Sequence, residues 1–184
     1  MPIKIHDNLP ARELLLNEVV DVINSSSAEK QDIRPLKFLL LNLMPKKLQT
    51  EVQFARLLGA SPLQIELTLM TTESYIPKNT KKEHLIEFYK TLDDIKHNFY
   101  DVLIITGAPV ETVPFEKVKY WQELKEIILW SSTNVFRKIG ICWGAQALLK
   151  ILHNIDKHSM KEKLFGVFDH NLNQENQYRL LQGF

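Results

Sequence analysis

The run Leu36-Lys37-Phe38-Leu39-Leu40-Leu41-Asn42-Leu43 is apolar at nearly every position, so it reads as a strand buried on both faces. Such a strand needs a layer of cover above and below it, which restricts the fold to a sheet held between helices. The rest of the chain supplies those layers. Val102-Leu103-Ile104-Ile105-Thr106 is a second buried run closed by Gly107, and Ile139-Gly140-Ile141 is a short third. Leu63-Gln64-Ile65-Glu66-Leu67-Thr68-Leu69 alternates strictly, which predicts a strand with one less buried face, nearer an edge. Helical patterns fall between them. Thr50-Glu51-Val52-Gln53 fits a capping box, with Phe54, Leu57 and Leu58 on one face and Gly59 at a left-handed C-cap position. Thr80-Lys81-Lys82-Glu83 fits a second box, followed by Leu85, Phe88, Tyr89 and Leu92 on one face. Val118, Trp121, Leu124 and Ile128 mark a third helix, and residues 145–152 a fourth. The alternation predicts an α/β fold with a three-layer, doubly wound, mostly parallel sheet. The polar stretch 24–32 reads as a loop separating an N-terminal arm, residues 1–33, from an α/β domain over residues 34–184.

Composition narrows the function classes. A hydrophobic content of 45% in 184 residues builds one domain with a real core. A net charge of +1, with both signs interspersed, carries no signature for nucleic acid or an anionic membrane. No apolar run reaches the length of a membrane span, and the N-terminus has no signal-peptide core. The single cysteine makes no internal disulfide and no Cys-based zinc site, which points to the reducing cytoplasm and to no metal.

That cysteine sits in Gly140-Ile141-Cys142-Trp143-Gly144, between a strand and a helix. A lone Cys is ordinarily a small buried core residue. Two flanking glycines at a strand-to-helix junction point instead to the thiol form of the nucleophile elbow, a sharp strained turn that lifts the side chain above the sheet edge. The glycines remove side chains that would strike the neighbouring strand and helix. The helix N-terminus favours thiolate over thiol, and the Trp143 amide faces the same space. Ligands of such sheets bind beyond the carboxyl ends of the strands. Residues 42–47, 106–111 and 140–144 all fall there. Thr106-Gly107-Ala108-Pro109 can turn the Ala108 amide toward the thiol, which with Trp143 makes a two-donor oxyanion hole. Lys46 and Lys47, after the first buried strand, are either a solvated pair or contacts for an anion.

The chain resembles the homoserine O-acetyltransferase/O-succinyltransferase family of methionine biosynthesis from Met1 to Phe184. The anchors are Arg34-Pro35-Leu36-Lys37, residues 41–47, Thr50-Glu51, Gln53-Phe54, Ser61-Pro62-Leu63-Gln64, Thr106-Gly107-Ala108-Pro109, Tyr120-Trp121, Cys142-Trp143 and Glu162-Lys163-Leu164-x-Gly166-Val167. The resemblance implies a class I glutamine amidotransferase-like (flavodoxin-like) fold and ping-pong acyl transfer. Cys142 takes an acyl group from acyl-CoA as a thioester and passes it to the hydroxyl of L-homoserine. Lys163 matches the family's substrate-binding lysine, a cation for the amino acid's carboxylate. Glu111 matches the position that separates acyl donors. A carboxylate there fills volume and repels succinyl's own charge, which implies acetyl-CoA as co-substrate. Lys46 and Lys47 become candidates for CoA phosphates or the oxyanion. Succinyl transfer, serine as acceptor, and a glutamine amidotransferase-type amidase remain alternatives. A homodimer follows only from fold analogy.

One part of the expected apparatus is missing. Thiol-dependent acyl transfer needs a general base. The resemblance implies a His-x-Glu element downstream of the elbow. None of His6, His84, His97, His153, His158 and His170 is followed by Glu at the second position. His170 matches a family position that is not the base. The expectation is an N-terminal part of the family's longer chain, incomplete at its C-terminus, either poorly active or an inert fragment, with an exposed sheet edge.

Overall fold

The computed structural model describes residues 2–31, 33–75, 80–162 and 164–169. In chain order the elements are β1 (Ile3–Lys4), α1 (Pro10–Asn17), β2 (Val22–Ile23), α2 (Ser25–Ala28), β3 (Leu36–Leu41), α3 (Lys47–Gly59), β4 (Ile65–Met70), α4 (Lys82–Phe88), β5 (Tyr89–Lys90), α5 (Leu92–Ile95), β6 (Tyr100–Ile105), α6 (Trp121–Asn134), β7 (Val135–Gly140) and α7 (Trp143–His153). A 3-10 turn, Phe115–Lys117, precedes α6.

Among the described residues, the seven strands form one sheet in the order β2-β1-β4-β3-β6-β7, with β5 also on β4, and all of their pairings are parallel. The predicted doubly wound α/β sheet is therefore the observed fold. Its two faces carry separate cores. Leu39, Leu41, Leu103 and Ile105 point to one face, where α6, Trp143 and Ala147 cover them. Leu40 and Ile104 point to the other, beneath α1, α3 and Tyr89. Leu39, Leu40, Leu41, Leu103 and Ile105 are all fully buried, each contributing about 1.5–3 kcal/mol relative to exposure. This is why β3 and β6 are apolar at consecutive positions. The first residues join the same sheet: Ile3 pairs with Ile65, and Ile3, Ile5, Leu9, Ala11 and Leu15 lie in the second core.

Four local expectations differ from the structure. Residues 65–70 form an interior strand, flanked by β1 and β3, not one near an edge. Its alternation reflects how each face is covered, not its rank in the sheet. The helix expected to start at Thr50 starts at Lys47, so Thr50 lies inside it and its hydroxyl donates to the Lys46 carbonyl at 3.2 Å instead of capping. Gly59 ends that helix without a left-handed turn, since Ala60 follows with φ −76°. A Cβ on Gly59 would come within 3.0 Å of Val20 and 3.3 Å of Ile3, so the glycine permits close packing of α3 on β1. The long helix expected from Glu83 through Leu92 is split. Lys81 makes no side-chain cap, α4 stops at Phe88, Tyr89 and Lys90 pair with β4, and Thr91 with Asp94 forms a true capping box on α5.

Candidate active site

Three strand ends stand level. Leu41 pairs with Ile105, and Ile105 with Gly140, so the segments after β3, β6 and β7 leave the sheet side by side. They are tied together beyond the pairing: the Thr106 amide donates to the Leu41 carbonyl (3.1 Å), Ile141 to Ile105 (3.0 Å), and Leu43 to the Thr106 hydroxyl (2.8 Å).

Cys142 sits at the top of β7, exposed, with φ 54° and ψ −119°. A non-glycine residue is held there only by its surroundings, at about 1–3 kcal/mol. Those surroundings are visible. A Cβ on Gly140 would lie 2.6 Å from the Ala145 Cα, and one on Gly144 only 2.5 Å from the Ile105 carbonyl oxygen. Helix α7 is thus pressed onto both β7 and the end of β6. Trp143, its first residue, is fully buried, with ring centroids of Phe115, Tyr120 and Trp121 at 6.0, 6.0 and 6.3 Å. A third glycine closes the turn from the other side: a Cβ on Gly107 would be 3.2 Å from the Cys142 Cβ and 3.6 Å from its Sγ. The Gly107–Ala108 segment therefore lies against the thiol. The amides of Trp143 and Ala108 find no acceptor among the described residues.

Glu111 is exposed in the loop after β6. Lys157 fixes that loop. Its ammonium donates to the carbonyls of Glu111 (2.6 Å), Val113 (2.7 Å) and Val110 (3.5 Å), and lies 4.9 Å from the Phe115 ring centroid. Burial lowers the Lys157 pKa, opposed by the charges of Glu111 and Glu116.

A parallel α/β sheet with a cysteine elbow admits several families, and comparison with known proteins decides among them. A family model described as homoserine O-succinyltransferase matches residues 2–184. The chain belongs to the homoserine O-succinyltransferase family. Similar relatives include proteins named homoserine O-acetyltransferase from Allorhizobium ampelinum, 56% identical over 92% of this chain and 55% of the relative, and from Clostridium novyi, 54% identical over the whole chain and 61% of the relative. Another of that name, from Bacillus subtilis, is 51% identical over the whole chain and 61% of the relative. The chain thus spans about three fifths of the length of the curated relatives it matches.

In this member of the homoserine O-succinyltransferase family, Lys46 and Lys47 part company. Lys46 is exposed, whereas Lys47 is buried and its ammonium donates to the Asn42 carbonyl, 5.2 Å from the Tyr89 ring centroid. Burial brings Lys47 down to about 8, with Glu51 opposing. Around it lies a network that sequence reasoning missed. The Tyr89 hydroxyl donates to Glu51 Oε1 (2.6 Å), Asn42 Nδ2 donates to the Tyr89 oxygen (2.9 Å), and His84 Nε2 lies 2.9 Å from Glu51 Oε1. Burial, reinforced by Glu51, pushes Tyr89 well above the usual tyrosine range. Lys47 and Glu51 are four apart on α3, a spacing visible in the sequence. Tyr89 and His84 reach them only through the fold. The network lies on the β4 side of β3, whereas Cys142 tops β7, at least two strand spacings or about 10 Å away across β6. Among the described residues no histidine is hydrogen-bonded to Cys142, and none of His, Cys, Asp and Glu group as a metal site. Lys163 and His170 lie outside the described residues.

Proposed function

We propose that Cys142 accepts an acetyl group from acetyl-CoA and passes it to the hydroxyl of L-homoserine, as in a homoserine O-acetyltransferase of methionine biosynthesis. The observation that carries this reading is the exposed Cys142 at positive φ, with Gly107 against its sulfur and two uncommitted amides beside it. The sulfur attacks the thioester carbonyl carbon. Negative charge gathers on the carbonyl oxygen, where the Trp143 and Ala108 amides donate to it, each worth about 3–4 kcal/mol in transition states of this kind. The bond to the CoA sulfur breaks, CoA leaves carrying the thiol's proton, and an acetyl-cysteine remains. The homoserine oxygen then attacks that thioester, its proton passes to a base, and Cys142 is restored. Lys163 pairs with the amino acid's carboxylate. Glu111, on the loop clamped by Lys157, excludes succinyl by volume and like charge. The setting is the cytoplasm, and the assembly a homodimer by analogy with the fold.

Intact-protein mass spectrometry after mixing with acetyl-CoA tests the reading. An acetyl adduct is expected on the wild type, absent from Cys142→Ala and discharged by L-homoserine. Absence of the adduct in the wild type sinks it. The family's own description favours succinyl as the second donor reading. Competition between acetyl-CoA and succinyl-CoA decides, and Glu111→Gly should shift the ratio toward succinyl; an unchanged ratio removes Glu111 as the filter.

A further inference from the structure

We propose that the groove between the ends of β3 and β6 seats the pantetheine arm of acyl-CoA, with Lys117 and Lys119 taking its phosphates. This rests on the acyl-transfer reading and gives it a ligand site.

The topology singles the place out. Strands β3 and β6 are neighbours, but the chain leaves β3 toward β4 on one side and β6 toward β7 on the other. Such a reversal opens a crevice at the carboxyl ends of the strands, where ligands of doubly wound sheets bind. A cavity of about 440 Å³ lies there, within the ordinary range for small-molecule sites. Leu43 supplies its wall after β3, Val110 and Val113 after β6, and Tyr75 and Tyr120 the remainder, their ring centroids 5.6 Å apart. Lys157 holds the 110–113 wall by three carbonyls, so the wall is formed without ligand. Pro109, also in the lining, is two residues from Gly107, so at most about 7 Å of backbone separates groove and nucleophile.

Charge selects the occupant. Lys117 and Lys119 line the groove, exposed on either side of buried Val118, and neither forms an ion pair among the described residues. An apolar channel that starts near the thiol and carries two free cations suits a long neutral arm ending in phosphates. Homoserine, small and zwitterionic, has only two methylene groups to place there. The more basic cavity lined by Lys46, Lys47, Lys81 and His84 lies on the far side of β3 from Cys142.

Calorimetry and hydrogen exchange with CoA and with pantetheine test the site. Lys117→Glu/Lys119→Glu should raise the CoA Kd about tenfold at low salt, with the gap shrinking as salt rises, while the pantetheine Kd stays unchanged. Lys81→Glu should leave CoA binding alone. CoA should slow exchange at residues 109–120. The proposal is overturned if the charge reversal leaves the CoA Kd unchanged, or if Lys81→Glu carries the loss. It also falls if residues 109–120 are already protected and CoA does not move them, since the protein's own chain then fills the groove. If Cys142 is acetylated normally while these tests fail, only the site is wrong. If the wild type neither binds CoA nor acquires an acetyl group, the acyl-transfer reading goes too.

Discussion

A cysteine at φ 54° is a residue held against its own preference. Glycine takes that conformation freely, so Cys142→Gly should relieve strain of about 1–3 kcal/mol and surrender roughly 1 kcal/mol in backbone entropy. The expected result is a chain about 1 kcal/mol more stable in denaturant unfolding and unable to form the acetyl adduct. A variant less stable than the wild type would mean that the turn is not strained. The elbow itself was legible, because Gly140, Cys142 and Gly144 stand in one pentapeptide. Thr106-Gly107-Ala108-Pro109 reads as a turn toward the thiol, but Gly107 itself does not read as a contact of the cysteine. Its contact with the cysteine depends on β6 and β7 being neighbours, and no local pattern carries that.

At the scale of elements, the loop after β6 ties chemistry to architecture. It begins against the thiol at Gly107, carries Glu111, and ends in the Phe115 turn under Trp143. It has no regular structure of its own over residues 108–113, so one ammonium stands in for a ladder of hydrogen bonds. Lys157→Met should leave global stability nearly unchanged and speed amide exchange across residues 108–113, with Lys157→Arg restoring part of the protection. Unchanged exchange in the Met variant would show that the loop holds itself. Helix ends were the least legible elements. Thr50 and Thr80 both head capping-box sequences, yet neither caps, because helix start points follow from where the preceding strand delivers the chain. The box that does form, Thr91 with Asp94, lay inside an apparently continuous amphipathic pattern. That pattern broke because Tyr89 turns inward to meet Glu51 and pairs with β4.

For the whole molecule, periodicity revealed which segments are strands and that the sheet is covered on both faces. It did not reveal strand order, since alternation reports burial of a face and says nothing of which strand lies alongside. That is why β4 was expected nearer an edge and why the two cores could not be assigned. The same ignorance hid the buried Lys47 network, which affects global stability. Lys47 is held down to about 8 against an ordinary 10.5. Below pH 8 the folded chain carries a buried cation at a cost. From pH 8 upward the folded state sheds that proton while the unfolded chain keeps it, so this group's contribution to stability rises with pH. Tyr89 opposes the trend only above pH 10, where unfolded tyrosine ionises and the folded residue does not. Relative to Lys47→Met, the wild type should therefore gain up to about 2–3 kcal/mol between pH 8 and 10. A constant difference across that range would show that Lys47 is not burdened by burial.

The pairing of Ile3 with Ile65 has a consequence for how the protein is made. Strand β1 can meet β2 within about twenty residues, but its other partner, β4, follows only after about sixty, as the Lys4–Glu66 ion pair, 62 positions apart, measures directly. At translation rates of about 5–20 residues per second, the apolar stretch around Ile3, Ile5 and Leu9 waits several seconds for β4. Of the outer flank of β4, β5 covers Leu69 and Met70, and Ile65 and Glu66 are left to β1. A bulky group inserted directly ahead of Ile3 would therefore obstruct folding far more than the small size of β1 suggests.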